Sequence, residues 1–526
     1  MTHFIALAGA SGSGKSTLAK EIRRILGPER CVVVSTSTLL RERWRTEGGD
    51  GGDPTREQLR DFGNHIGETE PLWFMAGYEK VCLEQVVVID ALRNLNQVHP
   101  LDEATRGIGR SATFIHMGPA NPVEPGLFEE CDERILTGYG DPAGQALGVL
   151  ERILGPSGAD CVIGAQWGSE GKGKVAAWLA SSPDGESPYA AMGRSGGPNA
   201  GHRVELLDGS YFVFRHLPSA TPYAASGTAL CIGPGAVIDL EVLKREICHI
   251  PKGCTLFVDP RVAIVDENAR QAERDASLTD IGSTMTGSGG AMALRVLRKA
   301  VTVEDYAPSG SFGLSLGAYD PRMVQVAPVG TVLREAMCRG RVLLESTQGM
   351  QLSLLHGNYP HVTGRDVSPI SMLAEMGLPP GIPCRWFLVA RTYPIRVAGP
   401  SGDLPCETTW EEVAHTSGID VDKLRESERT SVTKRLRRVA RWDNGSLIRT
   451  VRRGFGFAEQ VFVVITFADY LSATASGRED LKRILAEAAA VSRDGDVLVG
   501  DGPRTSQLTW LHTETVDHDL RAGFIA

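Results

Sequence analysis

Short apolar runs recur through the first 120 residues, with longer polar and mixed segments between them. Phe4–Ala8, Cys31–Val34, Val86–Asp90 and Ala112–His116 read as strands, and Ser16–Leu26 reads as a helix. This alternation predicts a parallel sheet flanked by helices. From 120 to 150 the pattern weakens, punctuated by Gly118-Pro119 and by the stretch from Pro122 to Gly126. Gly155-Pro-Ser-Gly158 reads as a linker, and near Asp160 a second strand, loop and helix begin. The expected architecture is α/β, with two P-loop-type domains at 1–154 and 160–526. Each is expected to be a mostly parallel sheet flanked by helices.

The bulk composition narrows the function classes. The chain has 526 residues, of which 42% are apolar and 23% charged, so packed domains are expected rather than disorder. A net charge of −9 argues against direct nucleic-acid binding. Ten cysteines without a CxxC pair suggest reduced thiols and a cytoplasmic setting, the host cytoplasm if the chain is viral. The glycine-rich N-terminus lacks a basic leader, and no run of 18 apolar residues predicts a membrane span.

Gly9-Ala-Ser-Gly12-Ser-Gly14-Lys15-Ser16 satisfies GxxxxGK[ST] between a strand and a helix. Glycines let backbone N–H groups wrap phosphate oxygens, Lys15 reaches terminal phosphates, and Ser16 can hold Mg²⁺. Thr17 follows at the helix N-terminus, which itself favours anions. Asp90, at the end of an apolar strand, is a candidate near Mg²⁺ or, alternatively, a helix cap. With "ALRN" after Asp90 and "DPTREQLRDFGNHIG" at 53–67, residues 1–120 resemble small nucleoside monophosphate kinases, including the dephospho-coenzyme A kinase-like group. Such kinases carry an arginine-bearing lid. Here residues 117–139 are acidic, with Arg134 their only arginine. Nucleotide binding with or without kinase turnover is therefore expected.

The second loop, WGSEGKGK at 167–174, keeps Gly168, Gly173 and Lys174 of the phosphate-loop spacing but places Val175 where a hydroxyl belongs. Around it stand GRSGGPNAGH (193–202), IGSTMTGSGG (281–290), ESTQGMQLSLLHGNYPHVTGRD (345–366), TSVTKRLRRVARWD (430–443), ITFADY (465–470) and GDGPRT (500–505). In this order and spacing, residues 160–526 resemble adenylosuccinate synthetase. That family joins aspartate to C6 of a purine nucleotide, using a nucleoside triphosphate and Mg²⁺. The resemblance implies that Gly168, Glu170, Gly171, Lys172, Gly173 and Lys174 surround the donor phosphates, and that His202 donates to charge developing on the transferred phosphoryl group. It places the Gly201 carbonyl on Mg²⁺ and Gln348 at the base. Asn199, Thr284, Thr363 and Arg298 would hold the monophosphate, Arg298 reaching in from a partner subunit of a homodimer. Arg435 and Arg437 would bind aspartate, since paired guanidinium N–H groups match a carboxylate. Asp469 and Gly502 would lie at the donor base, ATP or GTP.

The family's loop reads WGDEGKGK, and its aspartate takes the N1 proton of the base. Ser169 stands there instead, and a serine hydroxyl is no general base unaided. The change marks the phage 2-aminoadenylosuccinate synthetase branch, and the shorter side chain leaves room for the 2-amino group of guanine. Ligation of aspartate to (d)GMP is therefore the expected function. The alternatives are ordinary synthesis from IMP, a related purine ligase of secondary metabolism, and a non-catalytic nucleotide-binding regulator.

Overall fold

The computed structural model describes residues 3–512, apart from 11, 49–51, 76–85, 93–94, 109, 119–126, 128–129, 136–140, 182–187, 308–311, 318–319, 431–433 and 457–459. The chain divides into two compact units, Met1–Pro156 and Ser157–Ala526. The division falls within the glycine-rich stretch 155–158.

In the first unit five strands, β1 (His3–Ala8), β2 (Cys31–Val34), β3 (Val86–Ile89), β4 (Ser111–Met117) and β5 (Glu133–Ile135), form a sheet in the order β2-β3-β1-β4-β5. Every neighbouring pair is parallel. Helix α1 (Lys15–Leu26) buries Leu18, Ala19, Ile22, Ile25 and Leu26, which helical periodicity gathers on one face. The apolar pattern did not single out β5 or a helix at Pro142–Leu154. A local cue for that helix is present. Asp141 accepts from Gly144 N at 3.0 Å, and Pro142 supplies the φ of a first helical turn. Most of the lid region singled out at 117–139 lies outside the described residues.

The second unit is built on a ten-stranded sheet. Its strands in chain order are β6 (Ala159–Gly164), β7 (Ala191–Arg194), β8 (Ala229–Ile232), β9 (Thr255–Val258), β10 (Val324–Val326), β11 (Val342–Gly349), β12 (Cys384–Arg391), β13 (Val461–Thr466), β14 (Val497–Gly500) and β15 (Leu508–Leu511). They lie in the order β10-β9-β8-β7-β11-β6-β12-β13-β14-β15, and only the β14–β15 pair is antiparallel. β12 and β13 carry continuous apolar runs, Trp386–Ala390 and Val461–Ile465, because both faces of the sheet are covered. Cys161 and Ile163 of β6 enter one core, and Val162 between them enters the other.

The two ends of the sheet have different chemistry. At the amino end of β6 the fully buried Asp160 accepts from Arg341 Nε at 2.9 Å, Arg385 Nε at 2.7 Å and the Tyr189 hydroxyl at 2.7 Å. The carboxyl ends of β6, β7, β11, β12, β13 and β14 open into two adjoining cavities of about 790 and 500 Å³. Ligand sites in open α/β sheets lie at this edge. Among the described residues no helix is long and apolar enough to cross a membrane.

Candidate active site

The loop after β6 is held by its own carboxylate. Glu170 is fully buried, and its Oε1 accepts from Gly168 N at 2.8 Å and Gln166 N at 3.2 Å. Its other oxygen pairs with Lys172 Nζ at 2.5 Å. The loop carbonyl of Glu170 in turn accepts from the Thr466 hydroxyl at the end of β13, at 2.7 Å. Gly168 and Gly171 have φ of 95° and 88°, the left-handed region where a Cβ is costly. Ser169 adopts φ 57° between them and is exposed. Helix α2 (Lys172–Ala180) starts here, with Gly173 in its first turn and Val175 in the core. Val175 thus confirms that this loop lacks the hydroxyl of a complete P-loop.

Ser169, Lys172, Gly201, His202 and Arg437 line both cavities. They mark the junction where a group could pass from one bound molecule to another. His202 is anchored there by a residue that motif reading did not single out. Its Nδ1 lies 2.5 Å from Oε1 of Glu345 on β11. Glu345 also accepts from Ser219 N at 2.8 Å and faces Arg194 at 3.7 Å. Burial, then the Arg194 cation, pushes the His202 imidazole down to about 4, against the pull of Glu345. Burial alone would raise Glu345, but His202, Arg194 and Ser219 hold it at about 2. His202, Arg194 and Ser219 favour Glu345 as the carboxylate, while burial beside Arg194 favours the neutral imidazole of His202. Arriving phosphates favour the imidazolium, which can donate from Nε2.

The 790 Å³ cavity carries Lys174, Asp469 and Gly502. Lys174 does not point along the phosphate loop. Its Nζ donates to Gly502 O at 2.5 Å and Gln507 O at 3.3 Å, tying the 500–507 loop to α2. Burial lowers Lys174 to about 8, with Asp469, Asp501 and Glu205 opposing the shift. Asp469 is itself raised by burial. Beside it the guanidinium of Arg391 lies 3.9 Å from the Phe467 ring centroid.

The 500 Å³ cavity collects Asn199, Thr284, Gln348 and Thr363. Gln348 has φ 57° at an irregularity in the β11–β6 register and accepts from the Thr347 hydroxyl at 2.8 Å. Asn199 accepts from Ser288 at 3.3 Å. The 286–289 turn is held by Glu273, which accepts from Gly287 N and Gly289 N at 2.8 and 2.7 Å. Arg435 and Arg298, the other candidates, lie at the surface. Arg435 is exposed and outside both cavity linings. Arg298 is exposed at the end of helix α3 (Ser288–Val296), where it donates to Val296 O at 2.7 Å.

In the first unit Gly9 has φ 123°, and a Cβ there would stand 2.2 Å from Met117 O, so only glycine fits. Gly12 and Gly14 also have positive φ, and Ser16 and Thr17 are exposed at the start of α1. Lys15 Nζ donates to Gly9 O at 2.6 Å and Ala10 O at 2.8 Å, folded over its own loop. Asp90 accepts from Thr36 N at 2.9 Å and from the Thr36 hydroxyl at 3.1 Å. It thus caps the start of the Thr36–Arg43 helix.

The sequence profile of adenylosuccinate synthetase matches residues 161–319 and 316–475. The chain is 31% identical to the adenylosuccinate synthetase of Methanococcus maripaludis strain S2 over 362 residues, 66% of this chain and 96% of that protein. It is 31% identical to that of Archaeoglobus fulgidus, over 68% of this chain and 99% of that one. Among solved structures it is similar to cyanophage S-2L succinoaminodeoxyadenylate synthetase bound to dGMP and dATP as an energy donor. That likeness is 26% identity over 70% of this chain and 99% of the other, with a TM-score of 0.57. The fold is shared with adenylosuccinate synthetase of Plasmodium falciparum at 18% identity and a TM-score of 0.53, over 67% of this chain and 99% of that one. Fold, cavities and matches together define a nucleotide-binding ligase that forms a C–N bond. The chain belongs to the adenylosuccinate synthetase family.

Proposed function

We propose that residues 160–526 join L-aspartate to C6 of dGMP, with a nucleoside triphosphate as energy source, giving the 2-amino-N6-succinyl adenylate. The observation that carries this reading is Ser169, exposed at the junction of the cavities, with Lys172, His202 and Gln348 among the residues that line them. The likeness to a phage enzyme solved with dGMP and dATP supports it. In this reading the purine monophosphate occupies the 500 Å³ cavity, with Asn199, Thr284 and Thr363 around its phosphate. The donor occupies the 790 Å³ cavity, its base near Asp469 and Gly502. Phe467 stands before Ala468-Asp469 and offers a stacking face rather than a hydrogen bond, which favours either purine and admits ATP.

The chemistry follows from these positions. O6 of the base attacks the γ-phosphorus, and the nucleoside diphosphate leaves. Lys172 and His202 stabilise charge on the transferred group. The aspartate amine then attacks C6, and phosphate departs with O6. Ser169 can hydrogen-bond at the N1 and 2-amino edge but takes no proton, so the N1 proton passes to solvent water as O6 attacks. Arg437 orients the aspartate carboxylates, and Arg435 is assigned the same task by family likeness. Arg298, remote from its own chain's cavities, would serve a neighbouring subunit in a homodimer. Mg²⁺ is the expected cofactor. No cluster of three or more His, Cys, Asp or Glu side chains among the described residues could hold a metal. The ion would therefore be held chiefly by nucleotide phosphates, with oxygen donors from the Gly201 carbonyl and the Ser169 hydroxyl. When bound, it neutralises phosphate charge.

The first unit is proposed to bind a separate nucleoside triphosphate through Gly9, Gly12, Gly14, Lys15, Ser16 and Thr17, and ADP formation with a panel of monophosphates in the absence of aspartate tests it for kinase turnover. The test of the ligase reading is a panel of dGMP, GMP, dIMP and IMP with aspartate and ATP or GTP. Succinylated product by mass and released phosphate are expected with dGMP. Turnover of IMP without dGMP would return the chain to ordinary adenylosuccinate synthesis, and turnover of none would favour a nucleotide-binding regulator.

A further inference from the structure

One buried carboxylate joins the two cavities. Glu428 is 3% exposed. Its Oε1 accepts from Arg391 Nη2 at 2.6 Å and from the Tyr470 hydroxyl at 2.9 Å. Its Oε2 accepts from Arg391 Nη1 at 3.3 Å and Arg437 Nη1 at 3.4 Å. Phe467 and Tyr470 line the larger cavity and pack edge to face with centroids 5.3 Å apart. Arg391 lies against the Phe467 ring, and its Nη1 also reaches Ser169 O at 3.5 Å. Arg437 lines both cavities.

The charges of this cluster do not cancel. One carboxylate serves two guanidiniums, which leaves one positive charge over. The contacts are unequal as well: Oε1 holds its partners closely, whereas both donors on Oε2 sit at the long end of hydrogen bonding. An incoming carboxylate that engages Arg437 would release Oε2 to Arg391 alone. That would tighten the Arg391–Glu428–Tyr470 group, on which the Phe467 face rests. Conversely, a base stacked on Phe467 fixes Arg391 on Glu428 and leaves Arg437 free to turn toward the substrate.

We propose that Glu428 is a positioning residue that couples filling of the donor-base cavity to capture of the aspartate carboxylate by Arg437. This rests on the reading of the second unit as an aspartate ligase. In such an enzyme the coupling would favour aspartate binding where an energy donor is already seated. Glu428 lines the larger cavity, with both its oxygens turned to protein donors. It acts through the two arginines and the tyrosine that share its oxygens.

The experiment uses the full chain with dGMP, β,γ-imido-ATP and L-aspartate, and measures by calorimetry the affinity for the ATP analogue with and without aspartate. In the wild type, aspartate is expected to tighten the analogue by about fivefold or more, the range of ordinary coupling between sites. Glu428→Gln keeps the shape and removes the charge. It should bring that factor close to one and leave dGMP affinity within about twofold of wild type, a split that general loosening would not produce. A wild-type factor of one, or a wild-type factor retained in Glu428→Gln, would overturn the proposal. Should Glu428→Gln not be recovered folded, Tyr470→Phe removes one hydrogen bond to Oε1 and is expected to lower the factor at least twofold. A factor unchanged in that variant would overturn the proposal equally. Failure of the ligase reading is seen separately, as absence of succinylated product from the wild type across the purine panel. Coupling that is absent while product still forms refutes only the role of Glu428.

Discussion

His202, at the start of the His202–Glu205 strand, meets Glu345 of β11 with Nδ1 and Oε1 2.5 Å apart, although 143 positions separate them in the chain. The contact fixes which ring nitrogen faces the cavities. Glu345→Gln keeps a hydrogen-bond partner but removes the charge that stabilises an imidazolium. The expected loss in kcat is about tenfold to a hundredfold, at or below the lower limit for losing a proton-donating group outright, because His202 itself remains. KM for the donor should change little. Steady-state kinetics within twofold of wild type would show that His202 works without this anchor.

In the proposed ligase, Ser169 takes the place of the family's base. Ser169→Asp restores a carboxylate and crowds the 2-amino group of guanine. Relative kcat/KM should move toward IMP or dIMP by about tenfold, or ~1.4 kcal/mol in transition-state discrimination. Competition between dGMP and dIMP in one vessel measures this directly, and an unchanged product ratio would remove Ser169 as the selector.

The two phosphate loops belong to different units. Lys15→Ala should abolish triphosphate binding by the first unit and leave succinylation of dGMP unchanged. Lys172→Ala should lower succinylation by about 10²–10³-fold, the scale of one lost electrostatic stabiliser, and leave binding at the first loop intact. Loss of ligation in a folded Lys15→Ala protein would mean that the first unit regulates the second.

Acid should act through buried histidines. His216 is 3% exposed, and its Nε2 accepts from Asp239 N at 3.0 Å, a bond that only the neutral ring can make. Burial, then the Arg194 and Arg215 cations, pushes it down to about 3. The folded value lies below the unfolded one, so between the two the unfolded chain binds more protons. Stability therefore rises with pH through this window and is lost on acidification. Near about pH 5.5, an unfolded histidine carries about 0.9 proton. His216→Gln should lower proton uptake on unfolding by about that amount, measured calorimetrically in buffers of different ionisation enthalpy. Equal uptake in both proteins would contradict a neutral His216.

Asp160 lies at the sheet edge away from the cavities and holds Arg341, Arg385 and Tyr189. Asp160→Ala leaves two guanidiniums without their carboxylate. It should destabilise the second unit by about 3 kcal/mol, near the lower end for a broken buried pair because both arginines are partly exposed. A shifted urea midpoint with unchanged KM values is expected. Altered substrate KM would show that the two ends of the sheet communicate.

Much of this was legible along the chain. Local stereochemistry binds Gly168, Gly171 and the lysines into a turn between a strand and a helix, and such a turn is a short-range pattern that survives in the residue order. The alternation of apolar runs with helical segments likewise foretold parallel sheets, because strands covered on both faces must be apolar throughout. The chain divides between Pro156 and Ser157, and Asn199, Thr284, Gln348 and Thr363 line one cavity. Other features depended on which strands become neighbours. Glu345, Glu428 and Arg391 look like ordinary charged residues in the chain. Only the packing of β11, β12 and the 428–437 segment brings them to His202, Arg437 and Phe467. Lys174 fits the phosphate-loop spacing in the chain, and its Nζ also holds Gly502 and Gln507, 328 and 333 positions away. A buried charge takes the nearest partner that compensates its lost hydration, and that partner is chosen by the fold rather than by sequence spacing.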